Sequence, residues 1–144
     1  WNRTLNSKGV YAVIMRYREG RVLIYVYRRA KLLHDFTGTE VRRFLKKFGY
    51  EGKNLQEMLE QLSQRLCASD SFPHEIGLFL GYPIEDVKDF IKNEGRNCKL
   101  AGTWKVYHDE QNARKTFCKF KKCTDIYCQM LGKGTPLRRL TVAG

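Results

Sequence analysis

Apolar residues follow two rhythms along this chain, and the change of rhythm divides it. Residues 10–17 (VYAVIMRY) and 22–27 (VLIYVY) are β-branched and aromatic runs separated by Arg18-Glu19-Gly20-Arg21. They predict a β-hairpin whose turn uses Gly20 at positive φ. Both strands are apolar at odd and even positions alike, so helices or loops are expected to cover both faces at least in part. Downstream the spacing turns helical. Val41, Phe44, Leu45 and Phe48 recur between Thr39, a candidate N-cap, and Gly49, a candidate stop. Asn54 and Glu57 have capping-box spacing ahead of Leu55, Met58, Leu59, Leu62 and Leu66, one stripe along a helix of about three turns.

Pro73 suits the first turn of a short helix through Leu80, which Gly81-Tyr82-Pro83 interrupts. A second helix from about Pro83 is expected to bury Ile84, Val87, Phe90 and Ile91, with Glu85 and Asp86 in its first turn and Gly95 at its end. Residues 104–108 (WKVYH) are β-prone, a candidate third strand to join the hairpin. Ala113, Phe117, Phe120, Thr124, Tyr127 and Leu131 alternate steps of four and three, which predicts a long helix over 109–131 with this face in the core. Gly132 to Pro136 ends it. The elements predict an α+β fold: a small antiparallel sheet, the hairpin plus one short strand, packed against four or five helices.

A chain of 144 residues suits one core, so a single domain over 1–144 is expected. Its parts are the hairpin (8–29), helices (about 39–94), the strand and long basic helix (103–132) and a basic tail (133–144). Hydrophobic residues at 42% exclude an intrinsically disordered chain. Charge changes the picture more: 27 Lys and Arg against 15 Asp and Glu give +12, a field that favours anionic partners. No apolar run reaches the ~20 residues that span a bilayer, and no signal-peptide core opens the chain, so a cytoplasmic location with free thiols is expected for the five cysteines.

The candidate chemistry is sparse. Cys118, Cys123 and Cys128 are spaced by five, which turns successive thiols by about 140° on a helix and prevents convergence on one metal ion. Cys128 lies near the apolar stripe and is expected to pack, whereas Cys118 lies among lysines that favour a thiolate. His74 beside Glu75 is a candidate acid–base pair, although neighbours on a helix diverge by about 100°. No G-x-S-x-G, P-loop, G-x-G-x-x-G or H-E-x-x-H motif is present. A surface for nucleic acid or an acidic protein is drawn instead from Arg16, Arg18, Arg21 and Arg28 on the hairpin, from Arg114, Lys115, Lys119 and Lys122 on the long helix, and from Trp104 and Lys105.

The blocks Pro73-His74-Glu75-Ile76-Gly77 and Gly81-Tyr82-Pro83 within FPHEIGLFLGYPIEDVKDFI carry a resemblance. With GRNCKLAGTWKVYHDE, KKCTDIYC and RRLTVAG behind them, and the hairpin GVYAVIMRYREGRVLIYVYRR ahead, they resemble the bacterial family known as domain of unknown function 3793 over essentially the whole chain. The resemblance implies a family and no function. Its members usually carry an upstream His-Cys-Ala-Pro segment, and this chain starts downstream of that place. The resemblance therefore implies, as one reading, a thiol or metal site of His74, Glu75 and Cys98 with that upstream cysteine, serving redox or iron homeostasis or a cysteine-type hydrolysis. Leu100 and Thr103 stand where members often carry further cysteines, which argues against a shared metal site here. The leading expectation is a non-enzymatic module that binds an anionic partner; a third is that Phe72–Ile91 is purely a folding motif. No cofactor is indicated.

Overall fold

The computed structural model describes residues 2–68 and 72–143. The chain gathers into two compact units, Trp1–Gly81 and Tyr82–Ala143. Its class is α+β, as the alternation of rhythms predicts.

The first unit is built on the hairpin β1 (Val10–Arg18) and β2 (Arg21–Arg28), preceded by a helical turn α1 (Asn2–Leu5). Arg18 pairs with Arg21 across a two-residue turn. Gly20 sits at φ 74° as expected, and Glu19 beside it is also left-handed at φ 51°, the pattern of a type I′ turn. The register slips between Ile14 and Arg16, so Met15 is an extra, bulged residue. The bulge drives Met15 into the core and aims its carbonyl at α4 (Leu55–Ala68), where Ser63 Oγ donates to it at 2.6 Å.

The bulge also fixes what each face of the hairpin sees. Leu23, Tyr25 and Tyr27 are half-buried, whereas Tyr17, Val22, Ile24 and Val26 are exposed. Ile14 and Tyr17, 64% and 71% exposed, lie opposite Ile24 and Val22. The cover over the two faces is therefore only partial. Continuous apolarity marks a strand but does not supply the second layer that would bury it.

Three further helices close the unit: α2 (Arg29–Asp35), α3 (Thr39–Lys46) and, after α4, the single turn α5 (Ile76–Phe79). Thr39 is not the cap of α3. It is the first helical residue, and Gly38 occupies the N-cap without a side-chain bond. The capping box of α4 is present, with the Glu57 amide donating to Asn54 Oδ1 at 3.0 Å and Glu57 Oε2 accepting from the Lys53 amide at 2.6 Å. At 14 residues α4 runs nearly four turns, and Leu55, Leu59, Leu62 and Leu66 are buried. Pro73 heads a turn, not a helix: its carbonyl accepts from Ile76, where α5 begins.

The second unit holds α6 (Ile84–Lys92), β3 (Leu100–Ala101), β4 (Lys105–Val106), α7 (Glu110–Gly132) and the single turn α8 (Leu137–Leu140). The run at Trp104 does form a strand, but β4 pairs antiparallel with β3 next to it in sequence. It does not join the hairpin, because a connection this short makes a local ribbon. Within this unit Gly102 lies flat on Phe117, where a Cβ would come within 2.2 Å of the ring, and Trp104 meets Phe117 edge-on at 4.6 Å between centroids.

The long helix begins as expected, with Asp109 as N-cap accepting from the Asn112 amide at 3.0 Å. Its core face does not continue. Ala113 is buried and Phe117 half-buried, but every residue from 118 to 132 is exposed, including Phe120, Tyr127 and Leu131. A helix of 23 residues is about 34 Å long, and β3, β4 and α6 are too short to cover more than its first turns. Cys128, expected to pack, is exposed as well.

Candidate functional site

The His74–Glu75 pair separates in the turn before α5. His74 is exposed, while Glu75 is 2% exposed. Glu75 Oε1 accepts from Arg65 Nε at 2.6 Å and from the Tyr50 hydroxyl at 3.2 Å. Arg65 also donates to the Phe48 carbonyl at 3.1 Å, and its guanidinium lies over the rings of Phe48 and Tyr50. A carboxylate this buried, held by a guanidinium and a hydroxyl, has little open surface to offer a substrate. This cluster ties α4 and α5 to the stop after α3, which is a structural duty.

Burial, then the Glu75 charge and hydrogen bond, push the Tyr50 hydroxyl well above its usual range, against a smaller opposing pull from Arg65. Burial chiefly raises Tyr25 too, whose hydroxyl donates to the Phe79 carbonyl. The folded state keeps these protons where the unfolded chain loses them, near pH 10. Their contribution to stability is therefore complete below about pH 10 and falls as pH rises beyond it. Absorbance titration should show Tyr25 and Tyr50 lagging behind the rest of the eight tyrosines, with the lag shortened in Tyr25→Phe and Tyr50→Phe. Simultaneous titration of all of them in folded protein would contradict the burial argument.

The second unit contains a similar knot. Asp86, in the first turn of α6, is 3% exposed. Its carboxylate accepts from Trp104 Nε1 at 2.8 Å and from the amides of Tyr107 and His108 at 2.8 and 3.1 Å. Trp104 stacks on Tyr82, and Lys105 Nζ donates to the Gly95 carbonyl at 2.6 Å. Trp104 and Lys105 thus serve the fold of this unit. Cys98 is half-buried with a free thiol. Among the described residues no three His, Cys, Asp or Glu side chains are grouped to hold a metal ion.

The proposed cationic residues fall into two groups. Arg16 donates to the Leu66 carbonyl, Arg28 to the Lys8 carbonyl, Arg18 pairs with Glu19, and Arg114 pairs with Glu110 one turn back. Arg21, Lys115, Lys119 and Lys122 are exposed. On α7, at about 100° per residue, Lys115, Lys119 and Lys122 share one edge. Phe120, Cys123, Tyr127, Met130 and Leu131 form the adjoining stripe, uncovered along its length. On the other edge Lys121 is paired with Asp125 at 2.8 Å. The sequence pattern finds this stripe correctly and misreads it as core.

This arrangement is an exposed amphipathic helix whose apolar stripe is bordered on one side by three lysines.

The comparisons with known proteins bear on identity and not on activity. The chain belongs to the family described as protein of unknown function (DUF3793), whose model matches residues 1–141. No curated protein and no solved structure matches the chain.

Proposed function

From membership of that family, which prescribes no chemistry, we propose that the chain is a non-enzymatic binding module. Its α7 docks an acidic, amphipathic segment of another protein. The observation that carries this reading is the second half of α7, residues 118–132, exposed on all sides and yet bearing a continuous apolar stripe. Helices of this length are marginal in water unless one face is packed, so an occupant for the stripe adds stability that the free helix lacks.

Charge selects the occupant. The helix carries five basic and two acidic side chains, so a second copy of α7 would set like charge against like. An acidic segment places carboxylates over Lys115, Lys119 and Lys122 while its apolar side covers Tyr127 and Leu131. A nucleic acid would use the lysines and leave most of the stripe in water.

Two cysteines make the test direct, because Cys123 lies on the stripe and Cys118 on the opposite side, both exposed. A designed acidic Leu/Glu helical peptide should bind and slow alkylation of Cys123 without changing that of Cys118. Tyr127→Ser with Leu131→Ser should weaken binding about tenfold or more, since both positions are exposed and the fold is unaffected. Affinity should fall between about 50 and 300 mM salt. No protection of Cys123 by the peptide would end this reading. So would tighter binding of a single-stranded RNA or an anionic vesicle that ignores the stripe variants.

A further inference from the structure

A cleft of about 460 Å³ lies within the first unit, between α2, α3 and the loop that leads into α4. Its accessible apolar lining is Leu33 and Met58, backed by the buried Phe36, Leu45, Leu55 and Tyr50, whose hydroxyl is committed to Glu75. Its rim is cationic. Arg42 and Lys46 stand one turn apart on α3, on either side of Leu45 in sequence, and Lys53 comes from the opposing loop. Among the described residues lining the cleft, one carboxylate, Glu51, opposes these three charges.

The walls are held in place. Arg42 Nε donates to the Phe36 carbonyl at 2.8 Å, which fixes the guanidinium at the edge. The Gly52 amide donates to Gln61 Oε1 and the Lys53 amide to Glu57 Oε2. A Cβ on Gly52 would come within 2.9 Å of the Glu57 Cβ and 3.0 Å of the Met58 nitrogen, so the loop lies flat on α4 because this residue has no side chain. A fixed cleft of this size suits a small molecule, since ligand sites run to roughly 300–1,000 Å³. Preorganised walls lower the ordering cost of binding.

We infer that this cleft binds a small amphiphilic anion, an acyl or aryl chain ending in a carboxylate or a phosphate. The chain lies on Leu33 and Met58, and the anionic head meets Arg42, Lys46 and Lys53. None of these residues belongs to α7, so the cleft and the docking surface share no residue.

The three methionines of the chain report on it separately. Met58 lines the cleft, Met15 is buried beneath the hairpin, and Met130 lies on the α7 stripe. With methyl-labelled methionine, octanoate and octyl phosphate are expected to shift the Met58 signal saturably and leave Met15 and Met130 in place. Octan-1-ol should need about tenfold more ligand for the same shift, and inorganic phosphate alone should shift nothing. Lys46→Gln with Lys53→Gln, both on exposed residues, should weaken octanoate about tenfold and leave octan-1-ol unchanged. Three outcomes would each overturn the inference: Met58 unmoved by both anions, the alcohol binding as tightly as the acid, or Met130 shifting in parallel with Met58.

Discussion

Arg65→Ala is expected to lower the stability of the first unit by about 3 kcal/mol. The substitution leaves the Glu75 carboxylate, 2% exposed, with the Tyr50 hydroxyl as a hydrogen-bond donor, and it frees the Phe48 carbonyl just after α3. Breaking a buried pair from one side costs about 3–5 kcal/mol, and the lower figure applies because the Arg65 side chain is itself 40% exposed. The loss should be conditional on the charge it strands. Glu75→Gln in the Arg65→Ala background removes that charge, so the double variant should be more stable than Arg65→Ala alone. Urea midpoints of the four proteins decide it. Additive losses would show that Arg65 acts through packing on Phe48 and Tyr50 and not through Glu75.

That pair illustrates what the sequence reveals and what it hides. The hairpin is legible because its signals are local: two β-prone runs and a Gly at the turn. The stops at Gly49, Gly81 and Gly95 are legible for the same reason, each taking positive φ where a helix must end. The bulge at Met15 is not legible, because an extra residue is a property of the pairing of two strands and each strand reads normally by itself. The ion pair of Arg65 and Glu75 joins residues ten apart on different elements, so the sequence offers His74 as the neighbour of Glu75 when its functional neighbour is Arg65. The short helix α2 is not legible, because it follows β2 without a turn signal.

The α7 stripe shows a different limit. Periodicity states which side chains share a face, and α7 obeys it from Ala113 to Leu131. It does not state whether anything lies against that face. The same holds for the hairpin, where Ile14, Ile24 and Val26 have the chemistry of a core and the exposure of a surface. Both apolar surfaces are exposed on a chain of +12, and the proposed docking role rests on the one carried by α7. Residue type alone makes Glu75 a candidate acid or base, whereas its bonds to Arg65 and Tyr50 come from distant positions that the sequence does not display.

Asp86→Ala should cost the second unit about 3 kcal/mol or more. One carboxylate, 3% exposed, accepts from an indole N–H and two backbone amides, and alanine removes the acceptor from all three donors. Asp86→Asn should fall between the two. Its amide oxygen can keep the Tyr107 and His108 amides, but its nitrogen then faces Trp104 Nε1, donor against donor. Trp104→Phe relieves that clash, so the Asn and Phe substitutions together should cost less than the sum of each alone. Thermal unfolding measures the order, and the Trp104 indole proton resonance reports the local bond. An Asp86→Ala protein that unfolds at the wild-type temperature would refute the account. The outcome also separates fold from function. Phe117, at the foot of α7, packs on Trp104, so Asp86→Ala should impair docking only as far as the unit unfolds. Tyr127→Ser with Leu131→Ser should do the reverse, weakening docking about tenfold or more in a unit whose unfolding temperature is unchanged.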